Sequence, residues 1–451
     1  MKCLIIAAGQ GTRLGGEVPK PLAPLLGVPL LERAILTAEE AGATSFVIVV
    51  GYAGDAVCAF LDGLKRRRVL DLTVLALAPP GKENGWSVLS ARAHLDEPFL
   101  LLLMADHVMA PVLLRDLVGH GLDGSDLVLA VDRNKRPLED TDVTRVLVHG
   151  GLIQAIGKGL DHFNCYDTGA FLCSPALFGA LDQALAQGDT SLCGGVRVLA
   201  ERGRAKALYV ERGFWVDVDT PMELRKAESL LLGSLTKPTD GPVSRYVNRR
   251  ISCPITALLA RTSVTPNQVS VVSFLLALVA FGLFLHPSYR ALAAAGLLAQ
   301  LSSILDGTDG ELARLKWMGT KFGGWLDSIL DRYADGFLLA GLTYHAHLGR
   351  PGWSTLLIGF LALAGSFVNT YSAGLFDQTL RGDSACPGTS RFRIGRDVRL
   401  FLVFLGAVTG LPLIALVLIA ILMNVEVVRR LVLMRTYLSG LEPAGTGGSP
   451  P

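Results

Sequence analysis

The rhythm of apolar and polar positions changes once along the chain. Up to about residue 240, short apolar runs alternate with charged and turn residues. Lys2–Ala8, Ser45–Val50 and Phe99–Asp106 are runs of strand length and predict strands, the first a buried parallel one and the last ending in a carboxylate. Leu30–Gly42 has helical spacing between the first two, so the chain opens β-α-β. From Val269 onward the runs lengthen and lose their charges: Val269–Leu285, Ala291–Leu305, Gly336–Leu348, Leu356–Leu375, Leu400–Leu411 and Leu413–Val425. Several approach the ~20 apolar residues that cross a bilayer as a helix. The pattern predicts an α/β domain followed by an all-α domain of six transmembrane helices. Its expected parts are a cytosolic domain at 1–232, a linker with an interfacial amphipathic helix at 233–262, a membrane domain at 263–440 and a tail at 441–451.

Composition agrees with a split molecule. Only 18% of the 451 residues are charged, against about 25% in soluble domains, and mean hydropathy is +0.43. These values exclude wholesale disorder. The net charge of +2 offers no footprint for a nucleic-acid partner. Basic residues cluster before the first span (Arg245, Arg249, Arg250, Arg261), between the second and third (Arg314, Lys316, Lys321, Arg332), between the fourth and fifth (Arg381, Arg391, Arg393, Arg396, Arg399) and after the last (Arg429, Arg430, Arg435). By the positive-inside rule this places the soluble domain and both termini in the cytoplasm of a multi-pass cell-membrane protein. Met1–Gly9 reads as a strand and not as a signal peptide. The seven cysteines are scattered without a CxxC, which reads as free thiols in a reducing compartment.

The first strand runs into Gly9-Gln-Gly-Thr-Arg13, where glycines let backbone N–H groups approach phosphate oxygens. Leu14 replaces the last glycine of a full GxGxxG, so the loop alone is equally well a tight turn. It is followed by Pro19-Lys20-Pro-Leu. Together these resemble the nucleotidyltransferase family, which joins an NTP to a sugar phosphate or similar phosphomonoester on a Rossmann-like α/β fold. The resemblance implies that Gly9, Gly11 and Thr12 hold the triphosphate and that Arg13 and Lys20 are catalytic cations. Asp106 ends an apolar strand, where open α/β sheets bind ligands. With Asp217 of Trp215-Val-Asp217-Val-Asp219 it suits one Mg²⁺; Asp219 is the rival second ligand. Asn84 and Gly85 resemble the segment near base and ribose. Lys158 and Asp167 resemble the part contacting the phosphorylated acceptor. The phosphomonoester oxygen is already a nucleophile, so this step needs charge and positioning rather than a base.

The second constellation is Asp306-Gly-Thr-Asp309-Gly310-Glu-Leu-Ala313-Arg314, then Gly323 and Asp327 and Asp331. On helices, Asp306, Asp309, Gly310 and Ala313 share one face, and Gly323, Asp327 and Asp331 another. Two such helices side by side would gather four carboxylates that repel unless divalent metal, plausibly a pair, joins them. A solvated acidic loop would not pair the acids with small residues. The spacing matches the CDP-alcohol phosphotransferase signature position for position. That resemblance implies metal ligation by Asp306, Asp309, Asp327 and Asp331, with Asp331 alternatively the base on the acceptor hydroxyl. It further implies a CDP pocket at Gly310, Ala313, Arg314 and Gly323 and six transmembrane helices. The family commonly forms homodimers. Arg391, Arg393 and Arg396 are candidates to hold a phosphate on the acceptor.

The fusion is chemically sequential: one half makes an activated alcohol that the other consumes. It resembles the bifunctional CTP:inositol-1-phosphate cytidylyltransferase and di-myo-inositol-phosphate-phosphate synthase family. That implies CTP and inositol 1-phosphate as substrates, CDP-inositol as intermediate, Mg²⁺ in both halves and a product used as an osmolyte. A phospholipid synthase using the same chemistry is the alternative.

Overall fold

The computed structural model describes residues 1–9, 18–77, 83–134, 143–237, 240–379 and 394–441. Two compact units divide the chain, Met1–Leu231 and Leu232–Pro451.

The first unit is built on a nine-stranded mixed sheet. Its strands are β1 (Lys2–Ala7), β2 (Ser45–Val50), β3 (Asp71–Ala76), β4 (Leu100–Met104), β5 (Leu127–Asp132), β6 (Arg145–His149), β7 (Leu152–Gly157), β8 (Cys165–Cys173) and β9 (Ala205–Tyr209). Their order is β3-β2-β1-β4-β8-β5-β9-β7-β6. The first four run parallel, and β8 is antiparallel to both β4 and β5. β1 shows why its run lacks polar residues. Leu4 and Ile6 enter the core on one face of the sheet, Cys3, Ile5 and Ala7 the core on the other. A strand covered on both faces has no solvent side to mark by alternation. Adjacent β1 and β4 carry Gly9 and Asp106 beyond their carboxyl ends, where such sheets place ligands.

The second unit is helical. A π-helical turn, Ser244–Asn248, runs into α1 (Arg249–Ala260). There follow α2 (Pro266–Phe284), α3 (Tyr289–Leu315), α4 (Lys321–Gly349), α5 (Trp353–Thr379), α6 (Arg396–Val408) and α7 (Pro412–Leu441). Their starts are set by sequence. Thr265 and Gln268 form a capping box on α2, and Ser288 and Thr320 accept from backbone N–H groups opening α3 and α4. The runs Ala291–Leu305, Gly336–Leu348, Leu356–Leu375 and Leu413–Val425 fall within α3, α4, α5 and α7, whereas Val269–Leu285 passes the end of α2 by one residue and Leu400–Leu411 passes the end of α6 by three. Four of them, at 266–284, 289–315, 353–379 and 412–438, are long and apolar enough to cross a membrane. Outward-facing Val272, Leu275, Val279, Phe360, Leu361, Ile414, Ile421 and Val425 remain exposed. The interior mixes large residues such as Phe284, Leu338 and Leu416 with small ones, and the fully buried Ala277, Ala280, Ala295 and Ala299 let helices approach closely. The predicted runs Ala291–Leu305 and Gly336–Leu348 stop short of the acidic residues, whereas α3 and α4 continue through them.

Candidate active sites

In the first unit the ends of β1 and β4 open onto a cleft of about 500 Å³. Gly9, Lys20, Asn84, Asp106, Lys158, Asp167, Asp217 and Asp219 all line it. Gly11, Thr12 and Arg13 lie outside the described residues. Gly85 has a packing reason of its own, since a Cβ there would lie 2.5 Å from the Thr190 carbonyl oxygen. Lys20 is fixed by a short 3-10 turn, Lys20–Leu22, between two prolines. Its buried ammonium donates to Asp106 Oδ2 at 2.5 Å and to Asp219, and lies 3.9 Å from Asp217 Oδ1. Burial alone would lower its pKa; Asp106 and Asp217 outweigh that and raise it.

Two three-residue strands, His107–Met109 and Trp215–Asp217, pair antiparallel with Asp217 opposite His107. This pairing joins the carboxylates that are distant in sequence and adds a residue the sequence reading missed. His107 Nδ1 lies 2.7 Å from the Thr168 carbonyl oxygen, an acceptor, so Nδ1 carries the proton. Nε2 then faces Asp217 Oδ2 at 3.5 Å and Asp106 Oδ1 at 3.9 Å. Gly169 has φ +75°, and a Cβ there would sit 2.3 Å from His107 Nδ1, so only glycine lets the ring in. Burial would lower the pKa of His107; Asp217 and then Asp106 reverse this and raise it to about 10. Ligand atoms of Asp106, His107 and Asp217 lie within 4.8 Å of one another; the two carboxylates are able to hold a divalent ion, while His107 as an imidazolium offers it no lone pair. Asp219 turns to Lys20 instead, while Glu223 accepts from the Asp219 and Thr220 backbone N–H groups at 2.8 Å. Asp167 accepts from the Gly169 N–H at 2.7 Å, and its burial pushes its carboxyl up to about 6.

In the second unit α3 and α4 both pack on α2 and touch each other only sparsely. The expected side-by-side pair is therefore a pair facing across a gap, held by a common neighbour. Asp306, Asp327 and Asp331 bring carboxylate oxygens within 4.8 Å of one another. Asp309, buried, accepts from Ser270 of α2. An all-oxygen set of this kind suits a hard divalent cation. Gly310 sits beside Arg314, whose Nη2 donates to the Leu235 carbonyl at 3.1 Å. Ala313 is half-buried one turn on. The Gly323 N–H donates to the Thr320 hydroxyl at 2.9 Å, and a Cβ there would meet Asn267 Oδ1 at 2.7 Å. Arg391 and Arg393 lie outside the described residues. Arg396 reaches the carboxylates: Nη1 is 2.5 Å from Asp306 and 2.9 Å from Asp331, and Nε is 3.0 Å from Asp335. Asp335 is fully buried, also 2.5 Å from Arg399 Nη2, and escaped the sequence reading although it extends the four-residue series Asp327, Asp331 by one more turn.

Comparison with known proteins bears on both units. The MobA-like NTP transferase domain family matches residues 3–208, and the CDP-alcohol phosphatidyltransferase family matches residues 263–384. A bifunctional IPC transferase and DIPP synthase of Aquifex aeolicus is 34% identical, over 94% of this chain and 96% of that protein. The namesake from Rubrobacter xylanophilus is 37% identical over 96% of each. The chain belongs to the bifunctional IPC transferase and DIPP synthase family. An archaetidylinositol phosphate synthase of Pyrococcus horikoshii, 32% identical, matches only 38% of this chain. The family member described here is thus a bifunctional transferase, with a nucleotidyltransferase fold first and a helical CDP-alcohol phosphotransferase region second. The acidic clusters of the two units fall in its two matched domains.

Proposed function

We propose that the first unit transfers CMP from CTP to inositol 1-phosphate, giving CDP-inositol and pyrophosphate. The second unit then transfers the inositol phosphate group of CDP-inositol to a second inositol 1-phosphate, giving phosphorylated di-inositol phosphate and CMP. The observation that carries this reading is the meeting of Asp306, Asp327 and Asp331 across α3 and α4, in a chain whose full-length relatives join both activities. Bound divalent metal, Mg²⁺ as we read it, supplies positive charge against phosphate oxygens. Asp106 and Asp217 would hold one ion, and the four membrane aspartates two.

In the first reaction Lys20 and Arg13 stabilise the α-phosphate and departing pyrophosphate. Gly9, Gly11 and Thr12 hold the triphosphate, Asn84 and Gly85 the nucleoside, and Lys158 and Asp167 the inositol phosphate. In the second, the acceptor is a hydroxyl and needs a base. Asp331 takes its proton as the bond to phosphorus forms and that to CMP breaks. Gly310, Ala313, Arg314 and Gly323 seat the nucleotide. Arg391, Arg393 and Arg396 meet the acceptor phosphate. We read residues 1–232 as the cytosolic domain, 233–262 as linker and interfacial helix, 263–440 as a six-span membrane domain, and the protein as a homodimer with cytoplasmic termini.

The test supplies CTP, Mg²⁺ and inositol 1-phosphate and follows products by phosphorus NMR. Asp331→Asn accumulates CDP-inositol, and Asp106→Ala forms none. Diester formation at the normal rate in Asp331→Asn would remove the base assignment. A wild-type protein that makes no cytidine adduct would remove the substrate. A product extracting into organic solvent would favour the phospholipid alternative.

A further inference from the structure

Glu311 lies inside the aspartate signature yet takes no part in either site. It is fully buried on α3. Its Oε1 accepts from Arg249 and, at 2.6 Å, from Ser252, and its Oε2 from Thr256. Residues 249, 252 and 256 share one face of α1. A carboxylate without water must have such partners, and removing one is costly. At 3.6 residues per turn Glu311 points roughly 140° away from Asp306 around the helix. Gln300 lies on the same rear side of α3 and Ser303 on its flank, and both bond Asn248, at 2.8 and 3.4 Å. A polar row on α3 is thus matched by a polar row on the helix before the first span.

The same segment grips its surroundings at two more points. Arg249 is bidentate to Asp240, with contacts of 2.8 to 3.1 Å. The Ser244 N–H donates to Asp397 at 2.9 Å, and Asp397 is next in sequence to Arg396. The chain from Asp240 to Thr256 therefore holds both the back of the signature helix and the start of the helix carrying Arg396. Rotating α3 by one residue would swing its front face by about 100°, and this row opposes such rotation.

We propose that Glu311, with Arg249, Ser252 and Thr256 as its donors, is a positioning residue for the nucleotide pocket of the second unit. It sets the rotation of α3 from behind, so that Gly310, Ala313 and Arg314 face CDP-inositol together. The proposal rests on the reading of that pocket given above. It is an effect on donor binding, so it appears in KM and not chiefly in kcat.

The experiment uses the full-length protein in nanodiscs, with Glu311→Ala, Glu311→Gln and the double variant Ser252→Ala/Thr256→Val. CDP-inositol turnover with inositol 1-phosphate gives KM and kcat, and direct titration gives the affinity for CMP. All measurements are made well below each variant's Tm. Glu311→Ala raises the KM for CDP-inositol and the Kd for CMP by about tenfold or more, with kcat within about threefold. Glu311→Gln, which keeps the shape, recovers most of that, and the Ser/Thr pair falls between. CTP consumption in the first reaction stays at the wild-type rate. Wild-type KM and CMP affinity in Glu311→Ala, or a loss confined to kcat, would overturn the proposal. If Glu311→Ala does not fold, the other two variants decide it by the same readouts. If wild-type protein does not turn over CDP-inositol, the substrate reading fails, and CMP affinity alone judges Glu311.

Discussion

A carboxyl that burial pushes up to about 6 titrates where an enzyme works, and Asp167 is such a group. In the proposed role it accepts hydrogen bonds from inositol hydroxyls, which only the ionised form does with both oxygens. Inositol 1-phosphate itself loses its second proton near pH ~6. The log of kcat/KM for the first reaction should therefore fall below pH ~6 with a slope approaching two. Asp167→Asn should leave a slope of one and raise the KM for inositol 1-phosphate about tenfold. An unchanged slope would assign that limb elsewhere. The stability effect has the opposite sense. With the folded pKa above the unfolded one, the folded state binds more protons between the two values, so stability falls as pH rises through that window. Asp167→Asn should accordingly raise Tm at neutral pH. His107 shows where residue-level reading stops. It stands beside Asp106 in sequence, but its meaning comes from a register, Asp217 opposite His107, set by two very short strands. No pattern of apolar residues announces strands of that length.

At the scale of elements, long periodic runs were legible and the geometry between them was not. β1 and β2 and four long apolar helices lie where apolar runs predict, because a strand buried on two faces and a helix with few polar positions both leave a continuous signal. Hydropathy failed at the acidic ends of α3 and α4, where the helices run on through Asp306–Arg314 and Lys321–Asp331. Helical spacing of those acids is the better guide, since it groups the aspartates of which Asp306, Asp327 and Asp331 meet in the fold. The gap between α3 and α4, bridged by α2, could not be read from spacing. Gly323 separates two explanations of a signature glycine. The resemblance puts it in the nucleotide pocket, while the structure sets it against Asn267 and the Thr320 cap. Gly323→Ala should cost about 1–3 kcal/mol through overpacking, seen as a lower Tm. Asn267→Ala in the same chain should recover most of it if the clash dominates. Recovered Tm with a KM for CDP-inositol still raised would show both roles; no recovery would leave packing against Asn267 without weight.

Across the whole molecule, a net charge of +2 conceals two acid clusters, each partly offset by cations of its own unit. Lys20 and His107 face Asp106, Asp217 and Asp219; Arg396 spans Asp306, Asp331 and Asp335. Such internal counter-charges let a chain carry metal-binding carboxylates without needing metal in order to fold. Chelation of wild-type protein should therefore stop both reactions while leaving the far-ultraviolet circular dichroism intact. Removing the internal cation should make the fold metal-dependent. Lys20→Met leaves half-buried carboxylates facing one another without their shared donor, a loss of about 1–3 kcal/mol. In EDTA its first unit should melt several degrees lower. Mg²⁺ should recover more Tm in this variant than in wild type, because an ion bound only by the folded state stabilises it by mass action. Arg396→Met should repeat the pattern in the second unit alone. Unfolding of wild-type protein by EDTA would show instead that metal holds the fold together. Equal Mg²⁺ shifts in variant and wild type would show that Lys20 and the ion do not answer the same charge.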